Sequence, residues 1–434
     1  MEAVYPGQCA VSVEHDKGVM EAGLFRFLRF SLGLEGEVKG LLDGRKGSFD
    51  WDACYQFAKR QTLVGVLFDG IQRLPKELAP ARPLLLRWLS DSESIRRRNM
   101  RMDRASAYVY NKVCAAGFRC CILKGQGNAL LYPHPSSRTP GDVDVWVMAN
   151  REELRHIALS LTEGDGSSLQ ESLNHIGLTV HGVSVELHST PALLNSPLHN
   201  SRLQKWLKRN ADLQCSNRIA LPNNAGEVAV PTVSFNIIYQ LCHLFHHCFY
   251  EGVGLRQIVD YFFVLKNTDF SGNTDEAFGN TDGVSGNTDE DGVLLNTNCT
   301  DLTDEFSGNT DRGCFLLNTD CTDFTDSSSG GVVEVDSGGS LVALQEELKW
   351  LGLWEFAGAV MYVLREVMGL DEKRMICAPD ERRGRLLLEE IMAGGNFGHY
   401  DERNSKSKST DSSAISNCNI ATIFAFLLRN PSFR

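Results

Sequence analysis

Two long parts of the chain have apolar residues at every third or fourth position, which is the period of an amphipathic helix. The first part covers residues 21–116, and the second begins near residue 232 and resumes at residue 341. Between these parts, short apolar runs alternate with glycine and polar residues, which is typical of β-strands. The pattern predicts an α+β fold in which a small mixed sheet is flanked by N-terminal and C-terminal helical regions.

Four apolar runs supply the predicted strands: residues 119–123, 141–147, 176–180 and 183–188. His181-Gly182, between the last two runs, has the composition of a two-residue hairpin loop. A glycine-containing turn at 124–127 follows the first strand and leads into a predicted helix at 128–132. Another helix is predicted at 151–161, directly after the second strand.

Two carboxylates stand out on the second predicted strand. Asp142 and Asp144 alternate with valines, so both acids face one side of the strand. Like charges at that distance raise each other's pKa unless solvent or a cation lies between them, and a divalent metal is a natural occupant. Glu186 lies between Val185 and Leu187 and supplies a third acid on a neighbouring strand.

Each feature also has an ordinary structural explanation. Taken alone, the two aspartates fit a solvated strand edge, and Glu186 fits an amphipathic strand that faces water. Lys124-Gly125 by itself is a turn, and Arg138 by itself is a surface arginine. The order of strand, glycine turn, helix, acidic strand and acidic hairpin favours a metal site over these alternatives.

This ordered set resembles the nucleotidyltransferase superfamily that includes DNA polymerase β, and more closely the bacterial uncharacterised nucleotidyltransferase family. The resemblance rests on Leu123-Lys124-Gly125, Tyr132-Pro133, Arg138, Gly141–Asp144, Val185–His188, Leu255–Asp260 and Gly394–Gly398. It covers most of the chain outside one insert. No single motif is specific to this family, whereas the ordered set of motifs is.

The resemblance implies transfer of a nucleoside monophosphate from a triphosphate such as ATP to a hydroxyl, with release of pyrophosphate. Asp142, Asp144 and Glu186 would be the catalytic acids and would bind two Mg²⁺ ions, with Mn²⁺ as a possible substitute. Hard divalent ions prefer carboxylate oxygens, which agrees with these residue types. The acceptor, whether protein, RNA, sugar or small molecule, stays open.

On the nucleotide side, the resemblance implies that Gly125 lets the backbone approach the phosphates and that Lys124 or Arg138 neutralises their charge. The wider superfamily usually has Gly-Ser or Gly-Gly at this turn, whereas this chain has Gly125-Gln126. A serine contact to the triphosphate is therefore missing. A non-catalytic module that binds a nucleotide or a partner on the same fold is the alternative function.

Composition divides the chain further. Asn-Thr-Asp recurs six times within residues 266–340, a Gly/Ser/Asn-rich stretch that predicts a disordered insert. Residues 287–292 match the first half of a calcium-binding EF-hand loop, but Asn298 replaces the Glu required at position twelve. The predicted regions are helical 1–112, catalytic 113–215, helical 216–265 with 341–434, and the insert 266–340.

Charge and cysteine content give no strong indication of nucleic-acid binding or of disulfide bonds. The insert has 16 acidic and 2 basic residues, which leaves 39 acidic and 41 basic residues elsewhere, so the net charge of −12 comes from the insert. The rest is nearly neutral and gives no strong indication of nucleic-acid binding. Thirteen scattered cysteines without a Cys-x-x-Cys motif indicate reduced thiols. We also expect a cytoplasmic protein without a signal peptide or membrane span.

Other charged residues have two interpretations each. An arginine cluster fits a solvated helix face better than a nucleic-acid contact: Arg96, Arg97, Arg98, Arg101 and Arg104. His243 and His247 lie one helical turn apart and, with Asp260, fit either a metal site or buried hydrogen-bonding residues. The second interpretation is favoured because the Glu of a His-Glu-x-x-His motif is missing after His243. Arg256 and Asp260 are spaced to pair along their helix.

Overall fold

A computed structural model describes residues 21–37, 49–162, 169–172, 175–268, 341–398 and 400. The predicted insert lies outside the described residues from residue 269 onward, and so does the calcium-loop alternative at 287–298. The described residues belong to one unit of the chain. The division into N-terminal, catalytic and C-terminal regions stays a prediction.

The N-terminal part is helical, as the apolar spacing predicts. Its helices are α1 (21–31), α2 (Trp51–Arg60), α3 (Val64–Gln72) and α4 (Arg82–Ala115). The 34-residue α4 begins at Arg82, because Pro83 is compatible with a first helical turn. Trp88 of α4 is fully buried and donates its Nε1 hydrogen to the Val64 carbonyl oxygen at 2.9 Å.

A five-stranded mixed sheet lies at the centre and confirms the predicted α+β fold class. Its strands are β1 (Cys120–Leu123), β2 (Val143–Val147), β3 (Gln170–Glu171), β4 (His175–Val180) and β5 (Val183–His188). The spatial order is β1-β2-β5-β4-β3. Strands β2 and β5 are parallel, and the other neighbours are antiparallel. The two-residue β3 was not predicted because its residues are polar and exposed.

The β4–β5 hairpin turns at the predicted loop. His181 and Gly182 have φ of 50° and 74°, which are the left-handed conformations of a type I′ turn. This turn pairs Val180 with Val183 and thereby fixes the register of the whole hairpin.

The turn after β1 differs from the prediction in its boundaries. The short helix α5 covers Gly125–Ala129 rather than 128–132, so it begins directly after Lys124. Helix α6 (Arg151–Leu161) has the predicted bounds. Asn150 caps it by accepting hydrogen bonds from the backbone N–H groups of Glu152 and Glu153, both at 3.0 Å.

Helices resume along the chain after the sheet. They are α7 (Pro197–Ser216), α8 (Val233–Tyr250), α9 (Leu255–Lys266), α10 (Leu341–Trp350), α11 (Trp354–Met368) and α12 (Glu381–Gly394), with a hairpin of β6 (Arg218–Leu221) and β7 (Gly226–Ala229) between α7 and α8. Every residue of α9 from Leu255 to Leu265 is buried. Helices of this kind form an interior, and polar side chains on them therefore need partners.

Two further expectations concern the described residues. Their eight cysteines are all free, in agreement with reduced thiols. None of the helices in the described part of the chain is long and apolar enough to cross a membrane.

Candidate functional site

Three carboxylates converge where β2 and β5 run side by side. The parallel register places Asp144 beside Glu186, and Asp142 immediately precedes β2. One carboxylate oxygen from each of the three residues lies within 4.8 Å of the others. The structure thus brings together the three acids that the sequence singled out, while their catalytic role stays a prediction.

Lys124 brings a positive charge to these acids. Its Nζ lies 3.0 Å from Asp144 Oδ2 and 3.0 Å from His243 Nε2. Leu123, the preceding residue, pairs with Asp144 across β1 and β2, which explains the short reach. Lys124 has φ 48° and ψ −123°, a strained backbone for a residue with a side chain, and such strain is common at functional sites.

Two histidines of the β4–β5 hairpin border the same acids. His188 Nε2 lies 3.0 Å from Asp144 Oδ1 and 3.3 Å from Glu186 Oε2. His175 Nε2 lies 3.7 Å from Glu186 Oε1. The side chain of His188 is buried, whereas that of His175 is partly exposed, so this border connects the acids with the surface.

The two aspartates titrate in opposite directions. The neighbouring charge of Asp144, together with burial and Glu186, raises the pKa of Asp142 to about 6, although Lys124 opposes this. Burial alone would raise the pKa of Asp144, but Lys124 and His188 outweigh it and hold this pKa below its usual range. The same contacts with Asp144 and Glu186 raise the pKa of His188 against its burial.

This donor set fits a divalent cation. Three carboxylates within reach of one another supply the oxygen ligands that Mg²⁺ and Mn²⁺ prefer. The pKa of Asp142 is raised in part because its carboxylate is repelled by those of Asp144 and Glu186, and a bound cation would relieve this repulsion. Lys124 neutralises only part of this negative charge.

Gly125 follows Lys124 and lines the same cleft. Its φ of 29° is one that residues with side chains rarely adopt. A Cβ built on it would lie 3.7 Å from the Asp142 carbonyl oxygen, which is an ordinary contact distance. The glycine is therefore required by the turn conformation more than by crowding in the structure itself.

Arg138 is held by an ion pair in the interior. Its Nε and Nη2 donate to the two carboxylate oxygens of Asp260, both at 2.7 Å, and Tyr132 donates its hydroxyl to Asp260 Oδ1 at 2.7 Å. Arg138 is 3% exposed. Its Nη1 is buried and has no hydrogen-bond partner among the described residues. Arg138 lines the cleft, but two of its three nitrogens are already bound.

Helices α8 and α9 form the opposite wall of the cleft. His247 Nε2 lies 2.7 Å from His243 Nε2, and His247 Nδ1 lies 2.8 Å from Glu251 Oε2. Burial and the charge of Lys124 lower the pKa of His243 well below its usual value. These histidines belong to a hydrogen-bonded network that begins at Lys124, as the favoured interpretation predicted.

Asp260 is not placed for a metal site with the two histidines, because both its oxygens are bound by Arg138. Helical spacing suggested Arg256 as the partner of Asp260, whereas the structure shows Arg138 as its main partner. Arg256 donates from Nη1 to the Thr139 carbonyl oxygen at 3.1 Å. Both arginines therefore hold the segment that leads into β2.

Part of the arginine cluster on α4 has a structural role. Arg98 donates from Nη2 to the Gly141 carbonyl oxygen at 2.9 Å, next to Asp142. Arg96 pairs with Glu93 at 2.6 Å and lies 3.6 Å from Asp69. Both arginines thus have partners within the protein, and the choice between a solvated helix face and a nucleic-acid contact stays a prediction.

The sequence interpretation gave no role to His175 and His188. Glu186 and His188 are two residues apart on β5, so strand alternation already places them on one face. The register of the hairpin also places His175 opposite His188. Both signals were present in the sequence.

Comparison with known protein families identifies the family of this chain. A protein-family model described as "Uncharacterised nucleotidyltransferase" matches residues 47–277, which is more than half of the 434 residues. The matched range contains the five-stranded sheet, the three acids and Lys124. No curated protein and no solved structure matches the chain significantly.

Proposed function

The chain belongs to the uncharacterised nucleotidyltransferase family, and from this premise we propose that it transfers a nucleoside monophosphate from a nucleoside triphosphate to a hydroxyl group. Pyrophosphate is the second product. The observation that carries this proposal is the convergence of Asp142, Asp144 and Glu186 within 4.8 Å, beside the ammonium of Lys124. The family membership itself supports nucleotidyl transfer in general.

In this proposal the three acids would hold divalent metal, Mg²⁺ or Mn²⁺, where β2 and β5 run side by side. Bound metal would supply charge stabilisation for the triphosphate and lower the pKa of the attacking hydroxyl. Asp142 and Asp144 are proposed as metal ligands. Glu186, on the neighbouring strand, is proposed to hold the acceptor side and to accept the hydroxyl proton.

The transfer itself is a displacement at the α-phosphorus. The acceptor oxygen forms the new P–O bond, the bond to the bridging oxygen of pyrophosphate breaks, and the hydroxyl proton goes to Glu186. Since phosphoryl transfer needs positioning and charge neutralisation above all, few further residues are required.

Lys124, Gly125 and Arg138 are proposed to serve the nucleotide side. Lys124 is proposed to exchange its contact with Asp144 for a phosphate oxygen, and the left-handed turn at Gly125 presents backbone without a side chain. Arg138 has only Nη1 to offer a phosphate, because Asp260 holds its other nitrogens. Its main proposed role is therefore to position the turn before β2.

The reaction is tested by incubating the purified full-length protein with each α-labelled nucleoside triphosphate, Mg²⁺ or Mn²⁺, and fractions of host lysate. We expect label in one acceptor fraction and stoichiometric pyrophosphate. Tight nucleotide binding without label transfer or pyrophosphate release in every fraction would refute the enzymatic proposal and favour the non-catalytic binding module.

Replacing Lys124 by Met should lower kcat/KM for the triphosphate by about 100-fold, since it removes one preorganised charge from a shielded cleft. Steady-state kinetics of pyrophosphate release measure this effect. Lys208→Met is the matched control, because Lys208 is an exposed lysine of α7 that does not line the cleft. Equal kinetics of the Lys124→Met variant and the control would contradict the role of Lys124.

A further inference from the structure

Three potential metal ligands of two different kinds lie together on the β4–β5 hairpin. His175, Glu186 and His188 each present a ligand atom within 4.8 Å of the others. Glu186 also belongs to the cluster of three carboxylates, whereas the other two members of this group are histidines. Such a donor set differs in chemistry from a site made of carboxylates alone.

The hairpin register places these side chains on one face. His175 pairs directly with His188, and Glu186 is two residues before His188 on the same strand. The two imidazole centroids are 5.2 Å apart and tilted by 53°. The arrangement therefore follows from backbone pairing and does not depend on a flexible loop.

The separations of the two imidazoles from Glu186 are compatible with a shared metal ion. His175 Nε2 lies 3.7 Å from Glu186 Oε1, which is too long for a hydrogen bond. His188 Nε2 lies 3.3 Å from Glu186 Oε2. An ion about 2.0–2.2 Å from each ligand needs donor atoms roughly 3–4 Å apart. Both separations lie in that range.

A second observation concerns the orientation of His175. Its Nδ1 lies 3.0 Å from the hydroxyl oxygen of Ser172, and the Ser172 backbone N–H donates to the His175 carbonyl oxygen at 3.0 Å. The contact at Nδ1 leaves Nε2 directed at Glu186. Histidines that bind metals usually have the other ring nitrogen held in this way.

We propose that His175, Glu186 and His188 form a binding site for a transition-metal ion of the Fe²⁺-to-Zn²⁺ series, adjacent to the all-carboxylate site. Imidazole nitrogen favours these ions, whereas Mg²⁺ prefers oxygen ligands. Glu186 is the residue common to both sites, and Asp144 Oδ1, 3.0 Å from His188 Nε2, is the nearest further oxygen. The proposal concerns the same cleft as the proposed function, but it requires no turnover.

Cobalt(II) is the probe, because its visible absorption reports nitrogen ligation and coordination number. Chelator-treated full-length protein is titrated with Co²⁺, and Mg²⁺ binding is measured separately. The His175→Gln variant should bind Co²⁺ at least about tenfold more weakly with an altered spectrum, since loss of even an outer partner costs 10–100-fold in affinity. Its affinity for Mg²⁺ should stay within about twofold of the wild type.

The control is His156→Gln, an exposed histidine of α6, which should leave Co²⁺ binding unchanged. Ser172→Ala tests the second observation and should weaken Co²⁺ binding by about tenfold without removing a ligand. Thermal melts establish that the variants are folded. His175 is suited to replacement because 26% of its side chain is exposed.

The possible outcomes separate this inference from the proposed function. Wild-type Co²⁺ affinity and spectrum in folded His175→Gln would overturn the inference, even if the protein transfers nucleotides with Mg²⁺. Loss of Co²⁺ binding in that variant supports the inference, even if no transfer is found. In the second case only the proposed enzymatic function would fail.

Discussion

Replacing Asp142 by Asn should lower nucleotidyl transfer by about a thousandfold and leave the fold intact. The substitution removes one of three charges that are proposed to hold divalent metal, and charge stabilisation at such a centre contributes several kcal/mol to the transition state. Asp142 is a better choice than Asp144, because Asp144 also holds Lys124 and His188 at 3.0 Å.

The same substitution should not lower the free energy of unfolding at pH 7. The charges of Asp144 and Glu186, with burial, raise the pKa of Asp142 to about 6, above that of an unfolded chain. Ionised Asp142 therefore opposes folding at neutral pH, and a neutral Asn removes that cost. Transfer activity and urea unfolding together distinguish a loss of chemistry from a loss of fold.

Asp212→Asn is the matched control for this experiment. Asp212 pairs with Arg119 at 2.6 Å, and 76% of its side chain is exposed. It does not line the cleft, so its substitution should change the transfer rate by less than about twofold. If Asp142→Asn retained more than a tenth of the wild-type rate, Asp142 would not be a catalytic metal ligand.

Much of the candidate site follows from local rules that a sequence contains. Strand alternation puts Asp142 and Asp144 on one face, and it relates Glu186 to His188 in the same way. The two-residue loop at 181–182 pairs residue 180 with 183, from which the pairing of His175 with His188 follows by counting. The family resemblance then indicates which strands are neighbours.

The contacts of the cleft with helices do not follow from local rules. Lys124 and His243 are 119 residues apart, and Arg138 and Asp260 are 122 residues apart. Their contacts depend on how α8 and α9 pack against the sheet, which apolar periodicity does not specify. Arg138 was therefore predicted as a surface or phosphate-binding residue, although it is buried in an ion pair.

The strained backbone of Lys124 affects both the local structure after β1 and the long-range contacts of the cleft. Its left-handed backbone shifts the start of α5 to Gly125, three residues before the predicted position. That conformation lets the ammonium reach both Asp144 and His243. A non-glycine residue in this region costs about 1–3 kcal/mol, which the surrounding contacts must offset. Propensity rules alone would have placed glycine there.

Replacing Asp260 by Asn should lower the free energy of unfolding by about 3–5 kcal/mol, because it leaves the buried Arg138 guanidinium without a counter-charge. Arg138 and Asp260 are both buried and joined by two hydrogen bonds of 2.7 Å. The expected loss approaches the whole stability of many domains. Urea unfolding followed by circular dichroism measures it.

The double variant Arg138→Met with Asp260→Leu distinguishes an uncompensated charge from a general packing defect. Exchanging both partners for apolar residues removes the buried charge, and such exchanges are often neutral or stabilising. We therefore expect the double variant to be more stable than Asp260→Asn alone. A double variant that is less stable than the single one would mean that the bidentate bonds themselves dominate.

The pH dependence of this variant gives an independent test with a defined sign. Burial would raise the pKa of Asp260, but Arg138, with Arg256 and Tyr132, outweighs it and lowers this pKa. The ionised carboxylate therefore adds stability above the unfolded pKa of about 4, and this contribution is lost as the pH falls toward the folded pKa. The stability difference between wild type and Asp260→Asn should be constant from about pH 8 to pH 5 and should shrink below about pH 4. A difference that did not change with acidification would show that the charge of Asp260 does not stabilise the fold.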